Sequence, residues 1–343
     1  MVLPNLVEIV TQPVSSRFVR ELAAEVGFRL AGVSRVEPVA DYARFGGWVK
    51  RGLAGEMGYL TDHRAAVRES VELLLPGARS VISVGMMYDQ ATGGTGIARY
   101  AQGEDYHVVI RRGLAALAGR LREHAEFEWR ACVDTAPLLE RSVAREAGLG
   151  WIGKNTCLIN QEAGSFFLLG ELLTTLEISV DSDLDGPRPD RCGTCTRCIE
   201  ACPTRALVPS PDGRFELDAR LCISYFTIEL RGAVPEEHRE AVGGNVFGCD
   251  ICQDVCPWNR NAGTPDGVEQ LEELGGLSEA EYRARFRHTA VSRTKYSGWL
   301  RNVAIAMGNS GEAKYRPALE RLAASGDPLV AEHGEWGLGR LDP

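Results

Sequence analysis

Residues 191–203 read RCGTCTRCIEACP, and residues 246–257 read VFGCDICQDVCP. The first stretch is C-x2-C-x2-C-x3-C-P on Cys192, Cys195, Cys198 and Cys202. Three cysteines at that spacing wrap a tight loop around one 4Fe–4S cube, and the fourth, on the helical turn that follows, points to a second cube. The second stretch is the same motif with Val246 in place of its first cysteine, which leaves Cys249, Cys252 and Cys256. One ligand is then missing, and Cys222 is the nearby cysteine that can supply it. Symmetry assigns Cys192, Cys195, Cys198 and the crossing Cys256 to one cluster. It assigns Cys249, Cys252, the crossing Cys202 and Cys222 to the other. Pro203 and Pro257 end each ligand loop. Zinc also takes C-x2-C pairs, but eight cysteines with two C-x2-C-x3-C-P endings fit a pair of cubes better. A buried free thiol is the competing reading of Cys222. Cys132 and Cys157 sit in apolar runs and read as core residues.

Around this module the chain has 343 residues, 44% hydrophobic and 25% charged, enough for two or three compact units. The net charge of −9 excludes nucleic-acid binding through bulk charge, so a polynucleotide partner requires a local basic patch. Ten cysteines, most of them crowded in one stretch, read as metal ligation and not as a disulfide scaffold. Met1–Val10 lacks a basic leader with an apolar run, and no stretch approaches the ~20 apolar residues of a membrane helix. A soluble, cytoplasmic protein without membrane contact is expected.

The pattern upstream alternates. Residues 15–30 have helical spacing behind Ser15 and Ser16, which can cap. Residues 30–36, 79–88 and 127–133 are β-rich. Residues 107–126 place Val108, Val109, Leu114, Leu117 and Leu121 at helical spacing, and 140–147 form a helix that stops at Gly148. Phe166–Leu169 and Leu172–Val180 read as a hairpin. The expected class is α+β: an N-terminal α/β domain over residues 1–180, a ferredoxin-like two-cluster domain over 181–262, and a C-terminal HEAT-like helical region over 263–343. Asp181–Asp190 reads as the first linker, and Gly263, Pro265 and Gly267 mark a polar stretch after the cysteines. Gly93, Gly94, Thr95 and Gly96 form a flexible turn and not a dinucleotide fingerprint, because no helical apolar pattern follows directly.

Three segments of the first domain are dense in polar and special residues: RYAQGEDYH (99–107), VDTAPLLER (133–141) and GLGWIGKNT (148–156). Together with the split cysteine motif they resemble the epoxyqueuosine reductases, and the resemblance runs from Gly55-Glu56-Met57 to the Trp299–Gly308 helix. The resemblance implies a cobalamin enzyme, related to the reductive dehalogenases, that reduces epoxyqueuosine to queuosine at the wobble position of tRNA. It implies base-off cobalamin between the N-terminal domain and the clusters, tRNA held by the C-terminal repeat, and a low-potential electron donor; a monomer is expected. Some members carry a cysteine just before the DYH motif; here Ile97, Ala98 and Arg99 stand there, so no thiol role transfers.

Asp134 follows a β-rich run and is the expected general acid, a role the resemblance also implies. An apolar corrin face would raise its pKa; a helix N-cap before Pro137 is the structural alternative. Met57, Arg99, Tyr100, Asp134, Lys154, Asn155, Thr156 and Ser224 are the expected cofactor contacts, against a solvated turn for the Gly-Lys-Asn stretch. Arg283, Arg285, Arg287, Arg293, Lys295 and Arg301 form a local basic run in an acidic chain and are the expected RNA contacts. A charged solvent face of a helix is the plain alternative. Two other functions compete. A small-molecule reductase or dehalogenase of the same cobalamin class would usually carry a twin-arginine signal, which is absent here. A non-enzymatic ferredoxin-type carrier would lack affinity for cobalamin.

Overall fold

The structure, a computed structural model, describes residues 14–88, 96–259 and 270–341. The expectations for Met1–Val10, Gly93–Thr95, Gly263, Pro265 and Gly267 fall outside those residues. A four-stranded sheet is the frame, in the order Leu30–Arg35, Ser80–Met87, Phe167–Thr174 and Trp129–Cys132. Every pairing in it is antiparallel, so the first unit is α+β in character and not a parallel α/β layer. Residues 166–180 are not a hairpin: Phe167–Thr174 runs unbroken through the middle of the sheet. Gly170 serves close packing and not a turn, because a Cβ there would stand 2.4 Å from Cγ2 of Ile110.

The helix Tyr106–Arg122 covers one face of the sheet. Its buried Tyr106, Ile110, Leu114, Leu117, Ala118 and Leu121 recur at three- and four-residue steps. Val108, read as inward, is exposed, and Ile110 takes its place in the core. Asp105 caps this helix by accepting the His107 N–H at 3.0 Å. The helix Glu140–Glu146 covers the opposite face, where Val143 meets Val81, Cys132, Leu138 and Leu173. That helix ends where Gly148 turns to φ +82, a conformation glycine adopts without strain.

The expected linker is not a free tether. Asp185 is buried, accepts the Val33 N–H at 3.1 Å and pairs with Arg20 at 2.5 Å. Beyond the cysteines, the helix Tyr296–Ser310 is buried on nearly every side and packs against Pro328–Leu341. Trp299 stacks near Phe286 and Tyr282, with ring centroids 4.8 and 5.6 Å away. Asn302 Nδ2 donates to the carbonyls of Thr227 and Val246, each at 2.8 Å. Arg301 donates to the carbonyls of Phe226, Leu230 and Gly232. Such buried polar bonds lock the C-terminal helices onto the chain between Cys222 and Cys249. No described helix is long and apolar enough to cross a membrane.

Candidate functional site

Two short helices cross the cysteines over. Arg197–Ala201 delivers Cys202, and Ile251–Asp254 leads to Cys256; the two helices pack on each other. Cys256 thereby reaches Cys192, Cys195 and Cys198, and the four line one cavity of about 210 Å³. Cys202, Cys222, Cys249 and Cys252 form the second group. Cys222 follows the turn Ala219–Leu221, and its sulfur meets the N–H groups of Ser224 and Tyr225 and the Ser224 hydroxyl. Burial pushes the thiols of Cys198 and Cys249 up, to about 11 and about 12. Thiols so placed lose their protons to bound metal cations, which is the condition under which they ligate. Among the described residues, no three His, Cys, Asp or Glu side chains converge as the ligands of a single ion would. Two groups of four thiols, built on a crossed pair of C-x2-C-x3-C-P loops, match the ligand count of two cubes.

The Gly-Lys-Asn turn clamps both cysteine loops. Lys154 Nζ donates to the carbonyls of Gly193 and Cys195 at 2.7 and 3.0 Å. Asn155 Nδ2 donates to the Cys252 carbonyl at 3.3 Å, and its Oδ1 accepts the Cys157 N–H at 3.2 Å. Thr156 sits at φ +63 with its carbonyl bound by Arg141. Cys157 is not a core residue, because its thiol lies against Cys252; Cys132 is one. Arg99 is buried, ion-paired with Asp254 at 2.7 Å, and stacked over Phe166 at 4.6 Å; its N–H reaches Asp250 at 2.8 Å. It therefore ties the segment before Tyr106 to the second cysteine motif.

The Asp134 side chain is 43% exposed. Its Oδ2 accepts from the Tyr106 hydroxyl at 2.9 Å, from His107 Nε2 at 3.2 Å and from Arg293 Nη1 at 3.0 Å. His107 Nδ1 stands 2.7 Å from Asp105, and Arg293 Nη2 donates to Glu229 at 2.7 Å. Burial works against a charge on His107, yet its hydrogen bonds to Asp134 and Asp105 outweigh it and raise its pKa. For Asp134, burial works upward, but His107, Arg293 and Tyr106 outweigh it and hold the carboxyl at about 2. The three donors to Oδ2, all of them side chains of this chain, favour the charged form of Asp134, whereas the expected rise is tied to an apolar corrin face. Asp134 does not cap a helix. Leu139 is the N-cap, and the Asp134 N–H donates to Glu140 Oε1 at 2.5 Å.

Met57, Cys222 and Cys249 pack against the same buried cluster, and the Met57 sulfur accepts the Tyr59 hydroxyl at 3.3 Å. Tyr59 and Tyr100 both feel the charges of Asp134 and Arg293. Arg293, expected on an RNA surface, is one-third exposed and bridges Asp134 and Glu229. Arg301 is fully buried and unavailable to a phosphate. Arg283, Arg287 and Lys295 are exposed and line one groove with Tyr296; Arg283 pairs with Glu279 and, beside the groove, Arg285 with Glu273. Sequence reasoning did not assign roles to Tyr59, Tyr106, His107 or Glu229. The signal for His107 was its place two residues after a capping Asp105; Glu229 carried none.

The family model of a 4Fe-4S double cluster binding domain matches residues 191–259, so the chain is of the iron–sulfur class its thiol geometry defines. The model described as epoxyqueuosine reductase QueG, DUF1730, matches residues 68–135. Epoxyqueuosine reductases of Pseudomonas aeruginosa and Xanthomonas campestris are 42% and 40% identical to it. Each alignment spans 94% of this chain, with 93% and 95% of the respective relative. This chain belongs to the epoxyqueuosine reductase family, which are oxidoreductases. Among solved structures, the enzyme of Streptococcus thermophilus superposes with a TM-score of 0.83 at 28% identity, covering 94% of this chain and 89% of that one. An epoxyqueuosine reductase with a tRNA-Tyr epoxyqueuosine-modified stem loop gives 0.82 at 27%, covering 95% and 90%. That of Bacillus subtilis, described with its catalytic aspartate loop swung out of the active site, gives 0.81 at 26%, covering 95% and 90%.

Proposed function

We propose that this chain reduces epoxyqueuosine to queuosine at the wobble position of tRNA, with electrons passing from a low-potential donor through two 4Fe–4S clusters to base-off cobalamin. The reaction takes two electrons and two protons and releases the epoxide oxygen as water. The observation that carries the reading is the convergence of Tyr106, His107 and Arg293 on Asp134 Oδ2 in a chain that also holds two crossed groups of four cysteines. Cluster one is held by Cys192, Cys195, Cys198 and Cys256, and cluster two by the inner group. Met57, Tyr59 and Tyr100, with Ser224 beside Cys222, would hold cobalamin, which would supply a cobalt able to gather single electrons for a two-electron step. Arg99, Lys154 and Asn155 act on the cofactors through the cysteine loops they hold, and Thr156 completes the turn that carries Lys154 and Asn155.

His107 Nε2 and Asp134 Oδ2, 3.2 Å apart, form the proton-transfer pair of the site. The entering epoxide oxygen takes a proton from this pair, with Asp134 as the group in contact. Arg293 and the Tyr106 hydroxyl keep Oδ2 aimed meanwhile, and Glu229 anchors Arg293. The chain works as a cytoplasmic monomer in three parts, 1–180, 181–262 and 263–343, the last a HEAT-like unit that grips RNA. The test is anaerobic reconstitution with iron, sulfide, cobalamin and tRNA bearing epoxyqueuosine, read by nucleoside mass analysis. Loss of one oxygen from the nucleoside is the expected result; unchanged epoxyqueuosine, with clusters and cobalamin loaded, rejects the reading.

The RNA surface on this reading is the groove of Arg283, Arg287 and Lys295, with Arg285 beside it. Arg287→Glu with Lys295→Glu lowers tRNA affinity by about tenfold to a hundredfold and flattens the plot of log K against log salt by about 2. Salt-titrated binding measures both. Lys154→Met removes both of its bonds to the Cys192–Cys198 loop. Loss of iron in air becomes about tenfold faster, as for other supports of metal ligands, and timed iron analysis checks it.

A further inference from the structure

We propose that Glu140 and Glu171 form a proton-sharing carboxyl pair that holds the Asp134 loop in place, and that both are positioning residues for the reaction at Asp134. The inference rests on the proposed role of Asp134 and adds the device that keeps it there. Glu171 lies mid-strand, opposite Ser83 on one neighbour and Cys132 on the other. It is fully buried, and neither of its carboxyl oxygens meets a donor; the buried Ser83 hydroxyl has no partner either. What Glu171 does meet is the carboxyl of Glu140. Two carboxylates are both acceptors, so their contact requires a proton between them. Burial, and then the charge of Glu140, pushes Glu171 well above the usual carboxylic range; burial and the Asp134 charge push Glu140 to about 8.

The free side of Glu140 does the holding. Its Oε1 accepts the Asp134 N–H at 2.5 Å. That residue sits at φ +49, a left-handed conformation unfavourable for a side chain other than glycine, and the next N–H turns back on the Val133 carbonyl at 2.5 Å. A strained turn of this kind persists when its surroundings fix it. The charged and titratable groups facing the pair are Asp134 and Arg141 at Glu140 and Cys132 at Glu171, with Arg111 and Arg130 near Cys132. No described cation pairs with either glutamate, and Arg141 is turned to the Thr156 carbonyl. With one proton the pair is bonded and Glu140 holds the loop. Loss of that proton sets two charges in contact beside a third on Asp134, and the hold fails as pH rises.

Glu171→Gln donates an amide N–H to Glu140 at any pH. It is expected to keep turnover near neutral pH and move the alkaline loss of kcat up by about one pH unit or more. Glu171→Leu offers no donor and is expected to lower kcat about tenfold with little change in KM for tRNA. An alkaline limb identical in wild type and Glu171→Gln, or a full kcat in Glu171→Leu, overturns the proposal. Hydrogen exchange at the Asp134 amide of the wild-type holoprotein gives a second readout if a variant fails to fold. Protection is expected to collapse at alkaline pH beyond the ordinary rise of exchange with pH, and protection that stays constant overturns the proposal. This exchange requires no turnover, so it separates failure of the latch from failure of the proposed activity.

Discussion

Asp134→Asn lowers the single-turnover rate of tRNA reduction by about a hundredfold to ten-thousandfold, the usual worth of a positioned acid or base. Iron content, cobalamin binding and tRNA affinity stay near wild type. The amide is nearly the same shape, but it is a weaker acceptor and cannot carry a proton to the substrate. Oδ2 is the common acceptor of Tyr106, His107 and Arg293. Loss of its charge therefore changes the neighbours as well. His107 is raised by its bonds to Asp134 and Asp105, so the variant leaves it one carboxylate and its pKa falls. The sign is checkable: the imidazolium fraction at neutral pH drops in Asp134→Asn, as followed by NMR titration of the His107 ring. Full turnover with normal cobalamin binding would remove Asp134 from the mechanism. Unshifted His107 titration would show that the pair is not coupled as its geometry requires.

Cys222→Ala halves the iron, from about eight to about four atoms per chain, because a cube with three thiolates is not retained. Turnover falls to background. The position is informative because it lies outside both motifs, yet it is the cysteine whose sulfur receives two backbone N–H groups and the Ser224 hydroxyl. N–H donors aimed at a sulfur stabilise a thiolate and tune a cluster. Cys132→Ala is the matched control. That thiol is buried in the sheet core, opposite Glu171 in register, and its removal leaves the iron content unchanged. Iron and sulfide analysis with electron paramagnetic resonance of the reduced protein separates the two. Eight irons retained in Cys222→Ala would return that residue to the role of a buried thiol.

The part of this molecule that is local in the chain was legible beforehand. Cluster-loop spacing is set by how few residues wrap a cube, so RCGTCTRCIEACP and the broken copy at 246–257 declare themselves. Helices declare themselves through apolar residues three and four apart, as Ile110, Leu114, Leu117 and Leu121 do. Misreadings came where two influences act on one residue. Gly170 looks like a turn in sequence, yet it is a strand glycine shaped by the pressure of Ile110 above it. Arg293 and Arg301 look like members of a basic run, yet one pairs with Asp134 and the other bonds three buried carbonyls.

Sequence alone determined the cysteine set, the helical periods and the family resemblance, because each is written in spacing that a single turn or loop can satisfy. Tertiary structure decided that the sheet is antiparallel and that the Lys154–Asn155 turn grips both cysteine loops. It also decided that Arg293 stands at Asp134, 159 positions away, and that Glu171 meets Glu140 across the sheet. The reason is physical. Spacing constrains what one element brings together, whereas the partner of a buried charge is chosen by which elements pack, and the cost of leaving that charge unpaired is imposed only once they have.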